Sequence, residues 1–445
     1  MANFYLEENI EKISKEFLEK TKDQEVFVIS HFDTDGITSA VIMIKTLKQL
    51  DKKFSLKIFP RLEKEDVLNF PRDKALLILD LGSSFLEEFA KREQEIFIID
   101  HHEISKIEES KNLHIINPHL SLDEELSSSS LTYLFCKNLI KDSKEFAKLA
   151  ILGMIGDSME KRIDKLNHSI LNDGEIKRKR GILIYPSTRP INIALEYSSN
   201  PFIPGVTGNS EGVKELLRES KISPINGKYK GLIDLNDEEM SRLVTSIMLR
   251  NPRFKNKEIL GDIFLIKFYN KLEDAREISA MINACSRLGE VDTAIQFCME
   301  IPNAKKKAEL IHAKYRQHIV SALNYISETE KVQGEGFVII NAKEKIKDTI
   351  IGTIASILSN SEIYEEGTII TTMAYYEDKI KISSRCTGKN KKNLRILLSE
   401  VIKKIGGESG GHESAAGGTI KKENEKEFIG LLKENLEIET IKLNK

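Results

Sequence analysis

Short apolar runs that stop abruptly on a carboxylate or an imidazole constrain this chain most. EVFVIS (25–30) ends at His31, followed by Phe32-Asp33-Thr34-Asp35-Gly36. ALLILD (75–80) ends on Asp80, and EIFIID (95–100) ends on Asp100 with His101 and His102 directly after it. Continuous apolar runs without alternation suit strands buried on both faces, as in a parallel sheet. SLKIFP (55–60) reads as a further strand, and SAVIMIKTLKQL (39–50) as a helix between strands. Strands alternating with helices predict a doubly wound α/β domain. Each polar cluster then falls at the carboxyl edge of the sheet, where open α/β folds place ligands.

The rest of the chain divides by composition. Residues 3–20 and 129–156 read as helical, the latter with Asp157 near the end of AILGMIGDS (150–158). Turn residues and prolines gather over 173–205, marking a boundary or a long functional connection. Residues 211–330 look mostly helical. GFVIINA (336–342), GTIITTMAYY (367–376) and KIKISSRC (379–386) return to strand character ahead of a helix and the Gly-rich GGESGGHESAAGG (406–418). The expected domains are residues 1–185, a middle region 186–330 with linker helices, and a smaller C-terminal α/β domain 331–445, with a cleft between.

Composition narrows the class. Hydrophobic residues make up 40% of the 445 and charged residues 31%, an ordinary globular balance. No segment approaches the roughly 18 uncharged apolar residues that span a bilayer, and the N-terminus lacks a signal-peptide core. Four cysteines without a CxxC pair indicate neither a zinc site nor a disulfide framework. A reducing cytoplasm fits. The net charge of -2 gives no overall field for nucleic acid, so any basic groove must be local.

Asp33 and Asp35 alternate with Thr34, so in an extended segment they point the same way. Asp80 and Asp157 add two carboxylates, and His31, His101 and His102 add imidazoles. Four like charges on one edge repel and raise carboxylate pKa values. One or two divalent cations relieve that, and a mixed carboxylate–imidazole set suits manganese or a similar transition metal. A metal pair sharing a carboxylate is the usual clamp for in-line displacement at phosphorus. A single HxDxDG reads equally as a loop with Asx turns, and a lone DHH as a surface turn. All four clusters in order, each ending an apolar run, argue for the site.

SHFDTDG, LDLGSS, IDHH and GMIGDS stand in the order of the motifs of the DHH phosphoesterase superfamily, and GGHESAAGG resembles the signature of its associated C-terminal domain. ARE-ISAMINACSRLG (275–289) resembles the connecting segment of RecJ-type exonucleases, and with STRP (187–190) and PFIPGVTG (201–208) looks closest to the archaeal RecJ-like branch. The resemblance implies that His31, Asp33 and Asp80 hold one metal, and Asp35, Asp80, His101 and Asp157 a second, with Asp80 bridging. It implies Mn2+ as the cofactor, with Mg2+ or Co2+ as substitutes. His102 would face the scissile phosphate and Asp100 would orient the histidines. Asn283 and Arg287 match a motif used at the substrate phosphate, for which Arg is well shaped. Ser286 departs from the family's usual glycine, which puts the local backbone in question. Gly410, Gly411 and His412 would contact the nucleic-acid backbone, with Arg385 a further phosphate candidate. The implied activity is a two-metal exonuclease on single-stranded DNA or RNA, inclined to 3′→5′ polarity. Replication, helicase or RNA-processing proteins are the implied partners. Alternatives are a phosphodiesterase for short oligonucleotides or cyclic dinucleotides, and a scaffold related to the DHH-derived helicase subunit.

Other residues carry weaker signals. Arg189 and the 201–208 loop are balanced between function and turn chemistry. His114, His119, His168, His312 and His318 lack motif context. Cys285 and Cys298 read as small core residues, Lys177–Arg180 and Lys305–Lys307 as solvated faces, and Phe4, Tyr5, Tyr375 and Tyr376 as core.

Overall fold

The computed structural model describes residues 6–104, 110–121, 125–161, 163–198, 201, 203–250, 259–361, 363–388, 393–411 and 413–443. His412, Phe4 and Tyr5 lie outside the described residues. The chain divides into two compact units, Met1–His312 and Ala313–Lys445.

The first unit opens with helix α1 (Leu6–Lys20), strand β1 (Val26–His31), helix α2 (Thr34–Gln49), strand β2 (Phe54–Phe59) and helix α3 (Lys64–Asn69). Strand β3 (Ala75–Leu79), helix α4 (Leu86–Ala90), and strands β4 (Ile96–Ile99) and β5 (Leu113–Ile116) complete a five-stranded sheet of order β2-β1-β3-β4-β5. Every neighbouring pair is parallel. Successive side chains along a strand face opposite ways. Val26, Val28, Leu77, Leu79, Phe97 and Ile99 therefore enter one core with α1 and α2, together with helices α5 (Ser128–Leu139) and α6 (Ala147–Gly156). Leu76, Ile78, Ile96 and Ile98 pack on the other face with Val67 of α3 and Leu86 and Phe89 of α4. Both faces are covered, which is why these runs read as continuously apolar. The strand order reverses between β1 and β3, so the carboxyl ends of those strands flank the switch-point crevice that binds ligands in such sheets.

The expected doubly wound domain is present, with local corrections. Helix α2 begins at Thr34 rather than Ser39, so Asp33 and Asp35 are not on an extended segment. Asp33 caps the helix and accepts the Gly36 N–H, while Asp35 lies in its first turn. Small polar residues that weaken a helix interior are favoured at its start, where free N–H groups need acceptors. The 129–156 stretch is two helices, α5 and α6, broken around Ser143.

Helix α7 (Lys165–Asp173) precedes strand β6 (Lys177–Ile182), helices α8 (Ile191–Glu196), α9 (Ser210–Glu219) and α10 (Asp237–Arg250), then strands β7 (Leu260–Phe268) and β8 (Lys271–Asp274). Residues 211–330 are mostly helical as expected, but they also hold β7 and β8, which join β6 in an antiparallel sheet of order β6-β7-β8. Its β7–β8 hairpin turns on Tyr269 and Asn270, both with positive φ, as a tight two-residue turn requires. Ile263 and Leu265 of β7 face a core with α8, α9 and α10. Phe264, Ile266 and Phe268 face the main core, joined there by the Ala275–Arg287 helix. One strand is a wall of both cores.

The second unit is a six-stranded sheet of order β13-β14-β12-β11-β10-β9: β9 (Val332–Gly334), β10 (Phe337–Asn341), β11 (Ile369–Tyr376), β12 (Lys379–Cys386), β13 (Glu408–Gly411) and β14 (Ala415–Lys421). Only β10 and β11 pair in parallel. The Gly-rich stretch supplies β13 and the start of β14, which pair antiparallel. A Cβ on Gly418 would lie 2.3 Å from Ile402 Cδ1, so glycine there permits close packing of strand on helix.

Candidate metal centre

Three strand ends deliver the first candidate residues. His31 is the last residue of β1, and Asp80 and Asp100 follow the last residues of β3 and β4. Asp80 takes a left-handed backbone, φ 58°, while its N–H still bonds Ile99 O at 2.9 Å. Asn and Asp adopt such a conformation more readily than other side chains, so an Asp fits the turn that ends this strand. Asp157 caps the C-terminus of α6.

The side chains meet. His31 Nδ1 lies 3.0 Å from Asp33 Oδ2 and 3.2 Å from Asp80 Oδ2. His101 Nε2 lies 3.0 Å from Asp157 Oδ2 and 3.5 Å from Asp80 Oδ1. Among the described residues, donor atoms within 4.8 Å of one another form three groups able to hold a metal ion. These are His31, Asp33 and Asp80; Asp35, Asp80, His101 and Asp157; and Asp80, His101 and His102. The first two have the composition that the sequence motifs implied, and they share only Asp80.

Their electrostatics fit a cation. Burial pushes Asp80 well above the ordinary carboxylate range, and Asp33 and Asp35 push it further. Burial and the charge of Asp157 push Asp35 up to about 6. Burial also acts on Asp33, but the His31 charge and hydrogen bond, with Gly36 and Arg287, hold its carboxyl low. His101 is raised well above its usual value: burial opposes this, but the Asp157 hydrogen bond and charge outweigh it. Asp35 and Asp80, crowded until they resist ionising and grouped with imidazoles, are donors that a divalent cation satisfies.

His102 differs from its neighbours. Its Nδ1 lies 2.7 Å from Asp100 Oδ1, and its side chain is 46% exposed where His101 is 15%. Although burial opposes it, Asp100 pushes the imidazole up to about 9. Asp100 is buried, and burial alone would raise its carboxyl, but His102 and the Ser83 N–H at 3.0 Å hold it well below the usual range. It also accepts the N–H groups of His101 and His102 at 2.9 and 3.3 Å. Because Nδ1 is committed to Asp100, the third group is the poorest of the three for a cation.

Asn283 and Arg287 share a face of the Ala275–Arg287 helix, with Arg287 Nε bonded to Asn283 Oδ1 at 3.0 Å. The guanidinium sits 5.7 Å from the centre of the Phe32 ring and acts electrostatically on His31 and Asp33. Thr34 Oγ1 bonds Ser279 O at 3.1 Å, which ties this helix to the start of α2. Ser286 is buried in that helix, well clear of positive φ.

In the second unit, Arg385 on β12 bonds Ser356 Oγ at 3.1 Å, Ser383 Oγ at 3.2 Å and Ser384 O at 2.9 Å. Gly410 and Gly411 are exposed on β13, and Gly411 has φ 126°. Arg189 pairs with Glu277 at 3.3 Å. His114 is satisfied, with Glu16 and Glu95 each 2.9 Å from a ring nitrogen. Cys285 and Cys298 are buried.

Sequence reasoning passed over the serines of α5. Ser128 N and Ser129 N donate to the two oxygens of Asp35 at 2.7 and 3.0 Å, and Ser128 Oγ donates to Asp80 Oδ1 at 3.0 Å. Gly153 was passed over too: a Cβ there would lie 2.3 Å from Asp35 Oδ1. Ser127 at a helix start was the available signal, but it says nothing of which carboxylates that start would meet. Among the described residues no helix is long and apolar enough to cross a membrane.

Residues 25–154 match the description "DHH family, N-terminal domain", 184–254 the "DHH-CID domain" and 334–437 the "DHHA1 domain". An uncharacterized protein of Methanocaldococcus jannaschii is 28% identical over 440 residues, 94% of this chain and 95% of that one. A Bacillus subtilis prophage-derived protein, named as a single-strand DNA-specific exonuclease, is 26% identical over 56% of this chain, which spans about half (47%) of that relative. The exonuclease RecJ bound to manganese superposes with a TM-score of 0.58 at 16% identity, covering 97% of this chain and 94% of that one. CDC45 from Entamoeba histolytica superposes with 0.65 at 11% identity, over 96% and 99%. At such identities the likeness is one of fold. With its three domains in this order on a RecJ-like fold, the chain belongs to the DHH superfamily.

Proposed function

We propose that the chain is a metal-dependent phosphodiesterase, and specifically an exonuclease on single-stranded DNA or RNA. The observation that carries the reading is the pair of donor groups meeting at Asp80. His31, Asp33 and Asp80 would hold one ion, and Asp35, Asp80, His101 and Asp157 the other, with manganese the ion that best suits the mixed donors. Two such ions supply charge neutralisation at the phosphate and an acidified attacking water. His102 supplies the proton: Asp100 holds its Nδ1, and the raised pKa keeps the ring protonated at neutral pH, ready to donate from Nε2 to the leaving oxygen. Arg287, steadied by Asn283, contributes a planar donor fork to the phosphate. Arg385, Gly410, Gly411 and His412 are the second unit's candidates for contacts to the nucleic-acid backbone. The fold of the manganese-bound RecJ and the name of the Bacillus relative support single-stranded nucleic acid as substrate.

The test is hydrolysis of strands labelled at either end, in DNA and RNA forms, with and without Mn2+. Stepwise loss from the 3′ end is expected. A dinucleotide cleaved far faster than a long strand would favour the oligonucleotide or cyclic-dinucleotide reading instead. The CDC45 likeness favours a second role as a replication scaffold. The retained Asp33, Asp35, Asp80 and Asp157 set this role beside catalysis rather than in place of it. Capture of replication, helicase or RNA-processing proteins by the full chain would support it.

A further inference from the structure

The run Ser127–Ser130 carries no motif, yet it reaches both buried carboxylates of the paired donor groups. Ser127 caps α5, accepting the Ser130 N–H, and so aims the next N–H groups out of the helix end. Those of Ser128 and Ser129 take one oxygen of Asp35 each. The Ser128 hydroxyl takes Asp80 Oδ1 at 3.0 Å. Ser128 is fully buried, so this hydroxyl has no bulk water to bond instead.

The other groups nearest Asp80 are imidazole nitrogens: His31 Nδ1 at 3.2 Å, His101 Nε2 at 3.5 Å and His102 Nδ1 at 4.0 Å. A ring nitrogen that gives its lone pair to a cation has no proton left to donate to a carboxylate. That applies to His31 and His101, while His102 Nδ1 is committed to Asp100 at 2.7 Å. A serine hydroxyl has no such conflict, because its proton stays available whatever the imidazoles do. It can fix the rotation of the shared carboxylate in the metal-free and the metal-loaded protein alike.

We infer that Ser128 is a positioning residue for Asp80, and that its hydroxyl sets how tightly the paired donor groups hold divalent cations. The inference rests on the metal-centre reading above but not on any choice of substrate. The neighbouring serines provide its contrast. Ser129 Oγ bonds Ala150 O at 3.0 Å and Ser130 Oγ faces Asn167 Oδ1 at 3.3 Å. Both are as buried as Ser128, but the Ser129 side chain also reaches Asp35, so Ser130, whose hydroxyl contacts among the described residues are Asn167 and Ser127, is the control.

The test is calorimetric titration of the metal-free full chain with Mn2+, for wild type, Ser128→Ala, Ser128→Thr and Ser130→Ala, with circular dichroism to verify folding. Ser128→Ala is expected to bind Mn2+ about 10–100-fold more weakly, the usual effect of losing a partner that orients a ligand. Ser128→Thr, which keeps the hydroxyl, is expected to recover most of the affinity, and Ser130→Ala to match wild type. With nucleic acid, Ser128→Ala should need more Mn2+ for half-maximal rate while KM for the strand stays unchanged. Wild-type affinity in Ser128→Ala overturns the inference, as does an equal loss in Ser130→Ala, which would mark a packing effect. A wild-type chain that binds no Mn2+ overturns the metal-centre reading itself, a separate and recognisable failure.

Discussion

Asp100 Oδ1 lies 2.7 Å from His102 Nδ1, so one ring nitrogen is bound to the protein and Nε2 remains on a ring that is nearly half exposed. The carboxylate also raises the pKa of that ring, to about 9. If His102 is the proton donor, activity falls as pH rises through this value. Asp100→Asn removes the charge that raises it, so the alkaline limb of the kcat profile is expected to move to lower pH. The amide also places a donor against the Ser83 N–H, at a cost of about 1–3 kcal/mol in stability. An unmoved alkaline limb would remove His102 from the role of acid.

Asp80 separates chemistry from stability. Asp80→Ala is expected to abolish cleavage while the fold is kept, since one residue serves both donor groups. Asp80→Asn is the better probe of stability, because Asn tolerates the left-handed backbone and still accepts from Ser128. Asp80 has a raised folded-state pKa, so above the ordinary carboxylate value the folded chain holds more protons than the unfolded chain. Stability from this group therefore falls as pH rises. Metal-free Asp80→Asn should melt at or above the wild-type temperature at about pH 8. A large loss of Tm there would show that Asp80 is structural rather than a crowded ligand.

The same sign governs metal binding. Protons compete with cations for Asp35, which is raised to about 6, and for Asp80. Stabilisation of wild type by Mn2+ in a thermal melt should be small at about pH 5 and grow towards about pH 8 as ligands deprotonate. At a hundredfold excess over Kd the gain is about 2.7 kcal/mol, a shift of several degrees. A pH-independent shift would place the ion elsewhere.

Gly153 has no room for a side chain. A Cβ would lie 2.1 Å from Ser129 Oγ and 2.3 Å from Asp35 Oδ1. Gly153→Ala should push α6 from α5, cost about 1–3 kcal/mol as overpacking does, and weaken Mn2+ binding through Asp35. Chemical denaturation and Mn2+ titration measure the two effects separately.

Arg287→Lys keeps a charge near Asp33 but loses the planar fork and the Nε bond to Asn283. Raised KM for the strand, on the order of tenfold, is expected with Mn2+ affinity unchanged. A loss of Mn2+ affinity instead would tie Arg287 to the metal centre.

Much of the site is legible in the amino-acid sequence, because strand ends are. A run such as ALLIL is buried on both faces, so the Asp80 that stops it must emerge at the sheet edge. His31 and Asp100 follow by the same logic, and with them the family. Local geometry is less legible. Alternation with Thr34 predicts an extended segment for Asp33 and Asp35, but Asp33 is a helix cap, because a free helix start rewards a carboxylate more than a pleat does. Nor does the Gly-rich 406–418 stretch announce that it supplies β13 and the start of β14, where Gly418 makes room for Ile402.

The residue types of the candidate metal centre, their order and the sheet edge that carries them can all be read along the chain. Tertiary structure alone decided which of them share a donor group, that His102 is held by Asp100 and stands half exposed, and that the serines of α5 grip Asp35 and Asp80. The reason is range. Strand burial is written in residues one or two apart, whereas Ser128 and Asp80 are 48 positions apart and meet only because α5 packs with α2 and α6 over the sheet.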